Sequence, residues 1–200
     1  MRRDIIVIGA SAGGVEALRT LANKLPAELK AALFVVLHIP ASHKSLLPEI
    51  LNASGPSPTI HREHKQSIET GRIYVAPPDH HMLVEADHVL LWRGPRENNH
   101  RPAINPLFRS AAESHKARVT GVLLTGCRED GSAGLWSIKH SGGIAIVQDP
   151  NEASFPAMPL NAQKYVEVDH VARLTDIAKL LTDSTKEVRD PATLTRASNR

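Results

Sequence analysis

The sequence predicts an α/β domain: a doubly wound, mostly parallel sheet with helices on both faces, plus a small hairpin region. Three observations predict it. Runs dominated by apolar residues recur at 4–9, 33–38, 119–124 and 144–148, as strands buried on both faces do. Stretches with helical spacing separate these runs. The first run feeds straight into a glycine-bracketed turn, a strand-to-helix junction typical of α/β sheets.

The elements follow in order. Residues 4–9 form the first strand, and Gly14 to Lys24 a helix with Val15, Leu18, Leu21 and Ala22 at helical spacing. Leu33 to His38 is the second apolar strand, and Leu46 to Asn52 a short helix. Arg72–Ala76, Met82–Ala86 and Val89–Trp92 read as short strands or hairpin arms, divided by Pro77-Pro78 and Asp87-His88. Gly94 to Pro102 is polar and lacks apolar periodicity, so it reads as a loop. Ile104 to His115 is a helix, Val119 to Leu124 a strand, and Ser132 to His140 a helix closed by Gly142-Gly143. Ile144 to Gln148 is a strand, Pro159 to Lys164 a helix, and Tyr165 to Val168 a short strand. Asp169 opens a last helix through Leu181. The expected domain is 1–183, with a polar, disordered tail over 184–200.

Composition removes several function classes. Two hundred residues suffice for one domain with a sizeable core, and with only 4% aromatics that core is aliphatic. The net charge of +3 is spread along the chain rather than gathered in a patch, which argues against a nucleic-acid partner. One cysteine, Cys127, excludes a disulfide framework or a cysteine-built zinc site within the chain and fits a reducing cytoplasm. No apolar run approaches the ~20 residues of a membrane span, and the first run is too short for a signal peptide. The expected location is therefore cytoplasmic, without membrane insertion. His61 with His64, and His80 with His81, lack a second ligand cluster at convincing spacing, so neither metal nor cofactor is expected.

The turn Gly9-Ala10-Ser11-Ala12-Gly13 carries the chemistry. A G-x-S-x-G arrangement holds a hydroxyl out at the sheet edge, and the helix that begins there aims free N–H groups beside it. By itself the turn admits a serine nucleophile, a phosphate loop or purely structural glycines. A dinucleotide fold places Asp or Glu at the end of its second strand. Here that strand ends Leu37-His38-Ile39-Pro40, and histidine is the usual base for a serine nucleophile. Asp130, in the glycine-punctuated loop Thr125 to Gly131, is the candidate acid, with Asp149 as fallback. Ser11, His38 and Asp130 all follow strands, and ligand sites in such sheets lie at the strands' carboxyl ends.

These residues sit within six collinear blocks: IGASAGGVEAL (8–18), LHIP (37–40), YVAPPDHHMLV (74–84), HRPAINPLFRSAA (100–112), GVLLTGCREDGSAGL (121–135) and QDPNEASFPAMPLNA (148–162). Together they resemble the catalytic domain of chemotaxis protein-glutamate methylesterases. The resemblance implies a doubly wound α/β hydrolase that cleaves γ-glutamyl methyl esters on chemoreceptor cytoplasmic helices and releases methanol. It implies Ser11 as nucleophile, His38 as base and Asp130 as acid, with deamidation of receptor glutamines as a related activity. The amides of Ala12 and Cys127 are the candidate oxyanion donors, from the turn geometry and from the family's use of this loop.

Two departures stand out. Where the family commonly has Thr-Gly-Met-Gly-x-Asp-Gly, this chain has Cys127 and Arg128 at the Met and second Gly positions. A positive φ there costs arginine what it does not cost glycine. This motivates an alternative reading: a catalytically impaired domain that binds receptor-like helices or a signalling partner without turnover. Cys127 itself reads as either a reactive thiol or an ordinary packed one. The first strand begins at Asp4, so the receiver domain of many relatives is not expected in this chain, and any regulation is expected to come from a separate protein or from expression. Arg101 and Arg128 are candidate substrate contacts; Arg101 serves equally as a pin for its own loop. His81 is read as a packed histidine within a family-like block, and Ser42, Ser45 and Ser132 as capping or loop residues.

Overall fold

A computed structural model of the chain describes residues 3–61 and 64–186. Strand β1 (Ile5–Ala10) leads into α1 (Gly14–Lys24), β2 (Ala32–Leu37) and α2 (Leu47–Ser54). Short strands follow: β3 (Thr59–His61), β4 (Gln66–Ser67), β5 (Ile73–Val75), β6 (His81–Val84) and β7 (His88–Trp92). Then come α3 (Ile104–His115), β8 (Val119–Leu123), α4 (Ser132–His140), β9 (Ile144–Gln148), α5 (Ala157–Tyr165), β10 (His170–Ala172) and α6 (Leu174–Ser184).

Seven strands form one parallel sheet in the order β10-β9-β8-β1-β2-β5-β3. The predicted doubly wound architecture follows from how side chains alternate along each strand. In β1, Ile5 and Val7 join a core that includes Leu107 and Phe108 of α3, Leu135 and Ile138 of α4 and Met158 of α5. Ile6 and Ile8 join the other core, with Leu18 and Leu21 of α1, Leu51 of α2 and Ile177 and Leu181 of α6. The hairpin region is a separate antiparallel sheet, β4-β7-β6, whose Met82, Val84 and Val89 pack into the first core. No helix among the described residues is long and apolar enough to cross a membrane.

The sheet order places the site. From β1 the chain moves to β2 on one side and later returns to β8 on the other, so the winding direction reverses at β1. Ligands in open α/β sheets bind at such a switch point, beyond the strands' carboxyl ends. Ala10 of β1 is in register with Leu37 of β2, so Ser11 and His38 each come one residue later at the same level.

Several boundaries differ from the sequence reading. Helix α5 starts two residues before Pro159, which falls in its first turn, where a missing N–H is tolerated. It also runs through Tyr165, so the strand expected at 165–168 forms at His170–Ala172 instead, paired with Ile146–Gln148. Asp169 therefore opens no helix: its carboxylate accepts the Ala145 amide and the Lys139 ammonium. Helix α6 begins at Leu174 and continues through Ser184, and Thr185 after it is buried, so the tail does not start at 184. Residues 187–200 of the expected tail lie outside the described residues. Strands β3 and β4 were not foreseen; three and two residues are too few to show a period. Asn52 of α2 holds β3 in place, accepting the Thr59 amide and donating to its carbonyl.

Candidate active site

Ser11 leaves β1 where the strand turns into α1. Its amide still donates to the Thr125 carbonyl at 3.0 Å, extending the pairing toward β8 by one step. Gly13 then takes φ 73°, the left-handed region that glycine enters without a steric cost, and α1 begins at Gly14. The His38 amide donates to Ala10 O at 3.1 Å, which fixes its backbone against β1. The two side chains meet: Ser11 Oγ lies 3.1 Å from His38 Nδ1.

On the far edge of the same ring, His38 Nε2 lies 2.7 Å from Asp130 Oδ2. The His38 and Asp130 side chains are only 4% and 2% exposed, so this contact is shielded from water. An ionised carboxylate only accepts, so Nε2 carries the proton and Nδ1 presents its lone pair to Ser11. The three residues form one chain from hydroxyl through imidazole to carboxylate.

Asp130 is held more fully than the sequence reading anticipated. Oδ2 also accepts the Ile104 amide at 2.7 Å, and Oδ1 accepts the Asn105 amide at 3.3 Å and Asn98 Nδ2 at 2.9 Å. The carboxylate thus sits on the N-terminus of α3, where free N–H groups and the helix dipole favour negative charge. Burial pushes the Asp130 carboxyl up, but the hydrogen bonds from His38, Ile104 and Asn98 outweigh it and hold the pKa below the ordinary value. The Asn105 side chain in turn accepts the Gly131 and Gly134 amides, bracing the loop that carries Asp130.

A second histidine covers the first. The His100 ring lies parallel to His38, with centroids 3.6 Å and planes 4° apart. Burial, and then the charge of His38, hold the His100 pKa below its ordinary value. Its loop is tied down by buried His81, whose Nε2 donates to Pro95 O while Nδ1 accepts the Ala103 amide. Arg101 pins the same loop: its Nε and NH2 donate to Asp79 Oδ1 and its NH1 to Gly94 O. Arg101 also borders a cleft of about 260 Å3 that Ser11, His38, Pro40, Arg96, Asn99 and His100 line.

The candidate oxyanion donors belong to two loops that touch. Gly126, next to Cys127, packs so closely on Ser11 that a Cβ there would sit 2.8 Å from the Ser11 Cβ. Its amide donates to Phe155 O and its carbonyl accepts the Met158 amide, which locks the loop to the start of α5. Neither the Ala12 nor the Cys127 amide is consumed by a backbone hydrogen bond among the described residues. Cys127 is exposed, which corrects the reading of it as a packed thiol. Arg128 does adopt φ 69°, and Asn161 Nδ2 donates to its carbonyl at 2.7 Å, so the strained turn is held from outside. The contacts of Ser11, His38 and Asp130 are complete despite it.

The remaining candidates lie elsewhere. Asp149 accepts the Asn151 amide in its own turn, and Glu152 accepts the Leu174 amide and Gln148 Nε2. His61 faces the Ser45 and Val75 carbonyls. Sequence reasoning did not single out Asn98, His100 or the first amides of α3. The available signal was thin: an Asn98-Asn99 pair, tolerant of the positive φ both adopt, in a loop without periodicity.

Comparison with known proteins bears on the family and the fold. The family described as CheB methylesterase matches residues 6–181. A provisionally named protein-glutamate methylesterase/protein-glutamine glutaminase of Leptospira interrogans is 39% identical over 181 residues, covering 90% of this chain and 94% of that protein. A protein-glutamate methylesterase/protein-glutamine glutaminase of Maricaulis maris is 32% identical, but this chain covers only 45% of it. The crystal structure of the Thermotoga maritima CheB methylesterase catalytic domain superposes with a TM-score of 0.88 at 28% identity, covering 92% of this chain and 99% of that one.

Proposed function

The chain belongs to the CheB methylesterase family, and on that premise we propose that it hydrolyses methyl esters of glutamate side chains on chemoreceptor helices. The observation that carries the reading is the unbroken chain from Ser11 Oγ through His38 to Asp130, at 3.1 and 2.7 Å. His38 Nδ1 takes the Ser11 proton as Oγ attacks the ester carbonyl. Asp130 keeps the Nε2–H tautomer and stabilises the imidazolium that forms. The Ala12 and Cys127 amides donate to the developing oxyanion.

The tetrahedral intermediate collapses with the proton on Nδ1 passing to the departing methoxide, so methanol leaves. Water then attacks the acyl-enzyme, with Nδ1 accepting its proton and returning one to Ser11. The free glutamate and the starting enzyme result. An amide enters the same cycle with ammonia as the leaving group, which accommodates the glutaminase half of the relatives' names. Every proton moves between groups of this chain, the substrate and the attacking water; Arg96 in the cleft lining and Arg128, whose charge acts on His100, supply positive charge for carboxylates flanking the ester.

The test is methanol release from methylated receptor cytoplasmic fragments. The expected result is release by the wild-type protein and its loss in Ser11→Ala. Equal release by both proteins would overturn the serine mechanism. Binding of the fragments without release would favour the non-hydrolytic alternative.

A further inference from the structure

We infer that His100 is a positioning residue for the hydrolytic site, whose uncharged ring holds His38 in plane and receives the positive charge that His38 acquires during turnover. The inference rests on the reading of Ser11 and His38 as nucleophile and base. Three features of the stack carry it.

First, the two rings are stacked face to face in nearly parallel planes. Rings 4° from parallel with centroids 3.6 Å apart leave the His38 ring no room to rotate out of line on that face. Ser11 and Asp130 fix the ring's two edges, and His100 fixes its face. Second, two neutral rings gain little from face-to-face stacking, whose preferred geometries are offset or edge-on. The arrangement becomes favourable when one ring turns cationic, because a cation is attracted to the face of an aromatic system. His38 becomes cationic when it takes the Ser11 proton, so the stack strengthens in the transition state.

Third, the surroundings of His100 keep it uncharged. His38 faces it across the stack; Arg128 comes from the β8–α4 loop and Arg96 from its own loop, and all three disfavour a second cation. Asp130 is the opposing charge among the described groups that act most strongly on His100, and it is occupied by His38, Asn98 and two α3 amides. Glu97, whose backbone pairs with His100, directs its carboxylate to Arg109 instead. Protonating His100 would place a like charge against the His38 imidazolium and oppose turnover. The acid side of the activity profile should therefore reflect both rings.

The experiment compares His100→Ala and His100→Phe with wild type from pH 5 to 8. It measures ester hydrolysis and, separately, the rate at which a fluorophosphonate phosphonylates Ser11 with loss of fluoride. The second rate reads the Ser11–His38 pair whatever the natural ester is, so failure of the receptor assay leaves this inference testable. Thermal unfolding confirms that each variant is folded. His100→Ala should lower kcat and the labelling rate roughly 3- to 30-fold with KM little changed. His100→Phe keeps a ring face without a titrating nitrogen. It should restore most of that loss and give a shallower acid limb than wild type.

A His100→Ala protein with wild-type kcat and pH profile would overturn the inference. So would a His100→Phe protein as impaired as His100→Ala, because the ring nitrogens and not the face would then matter. A change confined to KM would reassign His100 to substrate binding and overturn it as well. A wild-type protein that neither labels nor hydrolyses would overturn the nucleophile reading and this inference with it.

Discussion

The two halves of the candidate active site are built by different means. Ser11 and His38 stand at the ends of neighbouring parallel strands, in a register set by β1 and β2. Asp130 and His100 stand on loops, and what holds them comes from sequence positions 98–105 and 126–134. The strand half takes its precision from the sheet, which is buried on both faces and close-packed. The loop half takes its precision from hydrogen bonds, and it includes Asn98, Asn99 and Arg128 at φ 51°, 67° and 69°. The Ser11 hydroxyl can thus be removed without disturbing the fold, whereas the Asp130 carboxylate cannot.

Substitutions at the two ends of the chain should separate the halves most clearly. Ser11→Ala should cost about 10^4- to 10^6-fold in kcat and leave the melting temperature almost unchanged. Asp130→Ala should cost comparable activity and also about 2–4 kcal/mol of stability, because it strands the Ile104 and Asn105 amides and His38 Nε2–H in a buried site. For a domain of this size that is a drop of roughly 5–15 °C. Paired melting curves and methanol assays check both. Equal melting temperatures for the two variants would break the distinction.

Asn98→Ala probes the loop half more gently. The Asn98 amide contacts Oδ1, not the oxygen that binds His38. Its loss should lower kcat about tenfold through a less well oriented carboxylate and shift the melting temperature by only a few degrees. The pH dependence of kcat should move with it, since Asn98 is one of the groups that keep Asp130 ionised. An unchanged pH profile would show that the α3 amides suffice.

Arg128→Gly tests the strain itself. A non-glycine residue in the left-handed region costs on the order of 1 kcal/mol, offset partly by the greater freedom of glycine in the unfolded chain. The substitution should raise stability by about 0.5–1 kcal/mol, a gain of a few degrees at most in a thermal melt. Lower stability would mean that the arginine side chain contributes more than its backbone costs.

The same contrast governs what was legible in the sequence. The parallel sheet and the helices α1, α3 and α4 were readable from apolar runs and periodicity, whereas the pairing of Ser11 with His38 came from residue type, strand-end position and the family resemblance. Asp130 was readable as a residue type in a glycine-punctuated loop after a strand. Its partners were not, because Asn98 and His100 reach the site through backbone turns that leave no period. Strands β3 and β10 were invisible or misplaced for the same reason: three residues at a sheet edge take their conformation from a neighbour. Helix α3 was read correctly, yet nothing in its amphipathic pattern announced that its first amides receive the Asp130 carboxylate.

Helix α3 also supplies the smallest expected effect, because its two ends lose stability to acid in different pH ranges. At its N-terminus Asp130 titrates below the ordinary carboxylate value, so its contribution to stability is present above about pH 3.9 and fades only as pH falls toward the folded value. At its C-terminus the buried His115 donates Nε2–H to Glu85 O, and burial lowers its pKa. The unfolded chain then binds a proton near pH 6.5 that the folded chain does not, so stability falls as pH drops below that point. Denaturant unfolding between pH 7.5 and 5 should show this decline in the wild-type protein. His115→Gln, which keeps a donor for Glu85 O without titrating, should flatten it while leaving kcat at pH 7.5 unchanged. A slope that His115→Gln leaves intact would place the acid sensitivity in the loop half instead, at His100, and so bind the molecule's pH response to its active site.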